Sequence, residues 1–365
     1  MRVALFCHTL ASCWNHGNAH FLRGVARDLA RRGHEVRAFE PADGWSRENL
    51  VRDHGADALA AWRAVYPELA SETYRGLPDL DAALDGAGLV LVHEWTAPEV
   101  VAALGMRRKS GARFTLLFHD THHRAATEAG FLWGLDLDGY DGVLAFGASL
   151  RERYLRAGWG GDRVRVWHEA ADATLFRPLP EIEPEADLAW IGNWGDGERS
   201  AELRAFLFEP VRRLGLAANV WGVRYPEDAL AALEGAGIAY HGWLPNVEAP
   251  AVFARHRVTV HVPRRPYAKA LPGIPTIRVF EALACGIPLV SGPWDDAEGL
   301  FPKGAFLMAE DGEAMEGHLK AVLRDGGLRR HLIDTGLKAI HARHTCRHRV
   351  DELLAIVDGL RGEGA

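Results

Sequence analysis

The chain has 365 residues and a mass of 40.1 kDa, with 48% hydrophobic and 25% charged residues; this excludes a disordered or fibrous protein and leaves material for a large core. A net charge of -7 argues against a protein whose main partner is the nucleic-acid backbone, and arginine, far commoner than lysine, is spread over the chain rather than clustered. At this length two domains of roughly 150 to 180 residues are expected.

Cys7, Cys13, Cys285 and Cys346 form no C-x-x-C pair, and the sequence opens on the strand-like Val3-Ala4-Leu5-Phe6 rather than on a basic region and a long apolar run. The expectation is a cytoplasmic protein with four reduced thiols. No apolar stretch reaches the roughly 18 residues that span a bilayer, so any membrane contact is expected to be peripheral.

Along the first half one unit repeats: a short apolar run, a break rich in His, Gly or Asp, then a helix-period segment. The runs are residues 3–6, 35–39, 89–92, 114–118, 142–145 and 164–167, with helical patterns near 19–31, 98–107 and 150–157. Strands apolar on both faces that alternate with helices imply a parallel sheet covered on both sides. The segment 44–74, mixed in aromatic and charged residues, reads as an acceptor lid or an inserted helical pair.

The proline-rich stretch Arg177-Pro178-Leu179-Pro180-Glu181-Ile182-Glu183-Pro184-Glu185 interrupts the rhythm, which then restarts with strands at 188–191, 219–222, 239–241, 258–262 and 287–291 and helices from about Gly312 onward. The expected organisation is an N-terminal Rossmann-like domain over 1–176, a linker over 177–186 and a C-terminal domain over 187–344. The last helical segment, 345–365, is expected to pack back on the first domain. Two doubly wound α/β units are expected to face each other across a cleft with the carboxyl ends of their strands, where ligands bind in open parallel sheets.

In the first unit the residues after the strands are His8-Thr9, His93-Glu94-Trp95, His119-Asp120-Thr121-His122-His123 and His168-Glu169, with His16 and His20 beside the first turn. A single histidine of this kind is more often a hydrogen-bonded structural residue; four at equivalent topological places mark a polar wall that orients hydroxyl groups. His119 or Asp120 is the candidate base, while His8, His16, His93, Glu94 and His122 are candidates for the acceptor side. His119-x-x-His122-His123 matches no zinc spacing, and Asp136-Leu137-Asp138 stands in a loop, so no metal is expected. Trp14, Trp45, Trp95 and Trp133 are candidates for stacking on a sugar or another apolar face, with core packing the alternative.

In the second unit the first strand runs into Gly192-Asn193-Trp194-Gly195-Asp196-Gly197-Glu198-Arg199-Ser200. Glycines let backbone approach an anion and Arg199 can contact phosphate, although a plain exposed turn fits equally. Arg224 follows the next strand. Pro263 to Val290 carries more: a basic cluster with Arg265 and Lys269, then a turn through Gly273, Ile274, Pro275 and Thr276. A short helix with Arg278 and Glu281 on one face follows, stopping at Gly286. Arg278 and Glu281 form either an intrahelical ion pair or a phosphate ligand and a ribose ligand.

Here the sequence resembles glycosyltransferases of the GT-B fold, in the group 1 or family 4-like set. Arg278-Val279-Phe280-Glu281-Ala282-Leu283-Ala284-Cys285-Gly286-Ile287-Pro288-Leu289-Val290 is similar to that group's helix-and-strand signature, in which the glutamate holds the donor ribose. Residues 166–178, with Glu169-Ala170-Ala171-Asp172 and Leu175-Phe176-Arg177-Pro178, resemble the segment that ends the first domain. Tyr240-His241-Gly242-Trp243-Leu244-Pro245 resembles the turn whose backbone meets the donor base, and Leu29 to Val36 fits the start. Ile191-Gly192-Asn193, Glu198-Arg199 and Arg278-x-x-Glu281 are most similar to the branch typified by the spore-maturation protein CgeB.

The resemblance implies a metal-independent glycosyltransferase with a nucleotide-diphosphate sugar as co-substrate and no cofactor. Retention at the anomeric carbon is implied, with a small molecule, glycan or protein as acceptor. Donor contacts are expected from Gly192, Asn193, Arg199, Arg224, Gly242, Trp243, Leu244, Arg265, Lys269 and the stretch from Gly273 to Glu281. Gly273 stands where the group usually has a second glutamate, so nothing is implied about the sugar. The alternatives are a nucleotide-sugar epimerase of the same fold and an inactive nucleotide-sugar-binding protein.

Overall fold

The computed structural model describes residues 1–128, 130–131 and 134–362. The chain divides into two compact units, Met1–Glu169 with Cys346–Ala365, and Ala170–Thr345.

The first unit carries seven parallel strands: β1 (Arg2–Phe6), β2 (Glu35–Pro41), β3 (Ala70–Tyr74), β4 (Ala87–His93), β5 (Thr115–Asp120), β6 (Gly142–Ala145) and β7 (Val164–Val166), in the order β3-β2-β1-β4-β5-β6-β7. The chain starts in the middle of this sheet, grows to one edge and then crosses to the other side, so β1 and β4 flank the topological switch point. Leu89 to Val92 and Leu116 to Phe118 are buried without alternation, as expected for strands covered on both faces. The helix Asn18–Arg31 buries Phe21, Leu22, Val25, Ala26 and Leu29, which recur at three- and four-residue spacing, and the chain leaves it through Gly33 at φ +82°.

The last helix, Cys346–Gly362, belongs to this unit. It is fixed by a hydrogen bond from Trp167 Nε1 to the Arg349 carbonyl (2.8 Å), by the Arg32–Asp351 ion pair (2.6 Å) and by Arg361 Nη2 on the Gly88 carbonyl (2.6 Å).

The segment 44–74 is not a helical pair. It forms one helix, Trp45–His54, two short 3-10 turns and the edge strand β3. Ala70-Ser71-Glu72-Thr73-Tyr74 lacks the apolar run of a central strand because it pairs on one side only, to β2.

The second unit has six parallel strands, β8 (Ala186–Ile191), β9 (Ala218–Trp221), β10 (Ile238–Tyr240), β11 (His256–His261), β12 (Leu289–Ser291) and β13 (Leu307–Met308), ordered β10-β9-β8-β11-β12-β13. β13, two residues long at the far edge, carried no sequence signal. The helix Ile277–Ala284 buries every residue except Arg278 and ends at Cys285, with Gly286 at φ +69° turning the chain into β12. Among the described residues no helix is long and apolar enough to cross a membrane.

Candidate functional site

The histidines after the first unit's strands do converge. His93 and His119 are register partners at the ends of β4 and β5, with ring centroids 5.5 Å apart. His93 meets His16 at 5.8 Å, His16 meets His8 at 5.1 Å, and His8 stacks on Trp45 at 4.7 Å. Trp95 lies 6.1 Å from Trp45, and His122 lies edge-on to Trp95 at 5.2 Å. One continuous patch of imidazole and indole therefore covers the carboxyl ends of β1, β4 and β5. His168 lies at the end of β7 instead, with Nδ1 donating to the Phe146 carbonyl (2.9 Å).

Burial keeps His8, His16, His93 and His119 neutral. It lowers His8 to about 4 and His119 to about 3, and it pulls His16 and His93 well below the ordinary histidine value, with the neighbouring histidines and Arg23 or Arg124 adding to the last two. Hydrogen bonds fix the tautomer of His93: Nδ1 accepts from the Trp95 amide (3.4 Å), so Nε2 carries the proton and donates to Thr121 Oγ1 (3.0 Å).

His119 and Asp120 do not stand at the surface of this patch as a base in direct contact with an acceptor would. Both have 0% exposure. His119 packs between Trp167 (4.8 Å) and Phe21 (5.8 Å), and neither ring nitrogen has a hydrogen-bond partner. The Asp120 carboxylate accepts from Tyr154 Oη (2.8 Å) and from the His122 amide (3.2 Å), so it shapes the turn that presents His122.

Glu94, also buried, accepts a hydrogen bond from Arg124, whose guanidinium lies over the Trp95 ring at 4.1 Å. Burial raises both carboxyls above the ordinary carboxylate range; the Asp120 charge adds to the shift of Glu94, and Arg124 opposes both shifts. Arg124 and Tyr154 were missed by sequence reasoning, because a helix start and a mid-helix tyrosine carry no spacing signal. Trp14 is buried and donates from Nε1 to Asp53 (3.0 Å), the core fate of the two weighed for it. Trp133 lies outside the described residues.

In the second unit Gly192 and Gly222 serve backbone packing. Gly192 N donates to the Trp221 carbonyl (2.8 Å) and Gly222 N to the Gly242 carbonyl (2.7 Å). A Cβ on Gly222 would stand 2.1 Å from the Gly192 carbonyl oxygen, so only glycine lets the ends of β8 and β9 close. Asn193 Oδ1 accepts from the Val223 amide (2.9 Å).

Arg199 is buried beneath this loop rather than offered to a phosphate. It donates to the Val262 carbonyl (2.9 Å) and to the Asn193 carbonyl, leaving Nε without a partner, and burial depresses its pKa to about 9 with Arg264 adding to the shift. Arg265 is likewise held, by Glu202 (3.0 Å) and the Gly197 carbonyl. Arg224 pairs with Asp196 (3.0 Å), and both sit at positive φ, +64° and +51°, a strained arrangement for side-chain-bearing residues. Lys269 is exposed, and Trp243 and Leu244 are half-buried after β10.

Arg278 Nη1 lies 2.6 Å from Glu281 Oε2, so the intrahelical ion pair is the arrangement present, and Asn246 Nδ2 donates to Oε1 (3.2 Å). His261 at the end of β11 was missed, although it ends a strand as the first unit's histidines do. Ser291 Oγ donates to the Gly292 carbonyl (2.7 Å) and therefore accepts from His261 Nδ1 (2.9 Å). His261 Nε2 then accepts from Thr276 Oγ1 (3.1 Å). Burial, with Arg199 adding, holds this imidazole neutral with a pKa of about 3. Thr276 is the N-cap of Ile277–Ala284, but its hydroxyl is committed to His261 and makes no cap bond. The first-turn amides are left without a side-chain partner, in the geometry that receives an anion.

Asp138 pairs with Lys109, and among the described residues no group of three or more His, Cys, Asp and Glu converges as metal ligands do.

The family model for Glycosyltransferase Family 4 matches residues 17–175 and the model for Glycosyl transferase-like matches residues 199–355. No curated protein matches at a significant level. Among solved structures, HepE of Anabaena in complex with UDP and glucose is similar with a TM-score of 0.68 at 13% identity, over 98% of this chain and 99% of that one. Sucrose-phosphate synthase from Thermosynechococcus elongatus gives a TM-score of 0.65 at 14% identity over 100% of both chains. A glycosyltransferase from Rickettsia africae gives a TM-score of 0.66 at 10% identity over 98% of both. The fold is thus the two-domain, Rossmann-like α/β fold of these proteins. Together the family models and the fold support a glycosyltransferase of the GT-B class.

Proposed function

We propose that the protein transfers a glycosyl group from a UDP-sugar to a hydroxyl-bearing acceptor, with retention at the anomeric carbon and without a metal ion, and that it stands nearest the CgeB-like branch. The observation that carries this reading is the open N-terminus of Ile277–Ala284, with a buried carboxylate one turn inside it. The uncapped amides suit a diphosphate, and a carboxylate accepts two hydrogen bonds from a ribose diol. UDP is the nucleotide bound in the HepE structure.

The donor diphosphate is held by the amides of Thr276, Ile277 and Arg278 and by Lys269. Arg278 turns from Glu281 to the phosphate, which frees Glu281 for the ribose. Arg199, Arg224 and Arg265 fix the surrounding loops and add positive potential. Gly242, Trp243 and Leu244 meet the base. The bond from the anomeric carbon to the β-phosphate oxygen breaks with its electron pair on the leaving diphosphate, whose growing charge these groups stabilise. A new bond forms to the acceptor oxygen.

The first unit supplies the acceptor side. His8, His16, His93, Glu94 and His122 orient the hydroxyl, and a neutral imidazole takes its proton as the bond forms. His119 and Asp120 act behind them, Asp120 through His122. The test is UDP release from a panel of UDP-sugars with and without candidate acceptors. Donor-dependent release that disappears in Glu281→Ala and His119→Ala is expected. Solvent deuterium entering the sugar without any acceptor points to an epimerase instead, and no binding of any nucleotide sugar contradicts both.

A further inference from the structure

Gly273 has φ +87°, and a Cβ built on it would lie 2.8 Å from Glu298 Cγ and 2.9 Å from Glu298 Oε1. The carboxylate of Glu298 therefore rests over a bare α-carbon. The Gly273 amide donates to the Asp295 carbonyl (2.6 Å), which joins the turn after β11 to the loop after β12. β11 and β12 are adjacent and parallel, so both segments lie at the carboxyl edge of the sheet, where ligands bind. Thr276, at the uncapped helix N-terminus, is three residues further on.

The loop that carries Glu298 is fixed. Asp296 accepts from the Leu300 amide (2.8 Å) and the Phe301 amide (3.0 Å), and Trp294 is buried against Phe306 with ring centroids 6.0 Å apart. Glu298 itself is half-buried and so reachable. A carboxylate repels a diphosphate but accepts paired hydrogen bonds from neighbouring hydroxyls. In a UDP-sugar the uncharged, hydroxyl-rich part next to the diphosphate is the sugar.

We propose that Glu298, whose side chain occupies the place a side chain at position 273 would take, is a specificity-determining residue that reads the hydroxyl pattern of the transferred sugar. The inference rests on the donor reading given above. It separates from that reading experimentally, because UDP alone lacks the sugar.

Calorimetric titration of the intact protein with UDP, UDP-glucose and UDP-galactose tests it. Glu298→Ala is expected to bind UDP within about twofold of wild type. Its affinity for the preferred UDP-sugar falls about tenfold or more, and its discrimination between the two sugars collapses. A Glu298→Ala protein that keeps the wild-type ratio of UDP-sugar to UDP affinity and the wild-type sugar preference overturns the proposal. Failure of the wild-type protein to bind UDP overturns the donor reading itself.

Discussion

Arg278 Nη1 and Glu281 Oε2 lie 2.6 Å apart, and the carboxylate that the guanidinium covers has 0% exposure. Removing the partner of a buried charge costs more than the pair itself contributes, because the remaining charge stays desolvated. Arg278→Ala is therefore expected to lower the unfolding free energy by about 3 kcal/mol. Urea denaturation checks this, and a change below about 1 kcal/mol, in the range of exposed pairs, contradicts it.

Tyr154 and Asp120 form a second buried pair, 2.8 Å apart. Tyr154→Phe removes one hydrogen bond to the carboxyl and leaves its volume unchanged, so a loss of about 1.5 to 3 kcal/mol is expected. Because Asp120 also receives the His122 amide, donor-dependent turnover should fall while UDP affinity does not. Melting curves combined with UDP titration of the variant measure both. Unchanged turnover in a destabilised Tyr154→Phe protein denies Asp120 its role behind His122.

The pH dependence of stability has a definite sign. His8, His119 and His261 take up a proton near 6.5 when unfolded but only near 3 to 4 when folded. His16 and His93 are depressed in the same direction. Their contribution is present above pH 6.5 and is lost as the pH falls from there towards 3 to 4, because the unfolded chain binds more protons. Glu94 and Asp120 are raised and act oppositely, adding stability as the pH falls into the ordinary carboxylate range.

Five imidazoles outweigh two carboxyls, so the unfolding free energy should fall steeply between pH 6 and 5, by about 1.4 kcal/mol per pH unit for each net proton, and the denaturation midpoint with it. His119→Phe should reduce that slope and raise stability, since it replaces an imidazole whose nitrogens are both unpaired. A midpoint that is flat across this window contradicts the account.

Gly222→Ala sets a Cβ 2.1 Å from the Gly192 carbonyl oxygen, a contact with backbone that cannot swing away. Loss of soluble folded protein, or a destabilisation of about 3 kcal/mol or more, is expected and is read by expression yield and melting temperature.

The central strands and the strand-end histidines were legible because runs such as Leu89 to Val92 are buried on both faces and a parallel sheet places their ends together. β3 was not legible, since an edge strand does not need apolar residues on both faces. Burial of individual polar groups was also hidden. Nothing in the spacing of Arg199 says that Val262 and Asn193 take its donors, or that His119 lies sealed between Phe21 and Trp167. The contact of Glu298 with Gly273 joins residues 25 positions apart through two loops, which no local pattern encodes.

The most direct measurement is the affinity of UDP for the wild-type protein and for Glu281→Ala by calorimetry. A ten- to hundredfold weakening in a variant with an unchanged fold is what a carboxylate holding the ribose predicts. Equal affinity in the two proteins would contradict the assignment of this helix as the nucleotide site.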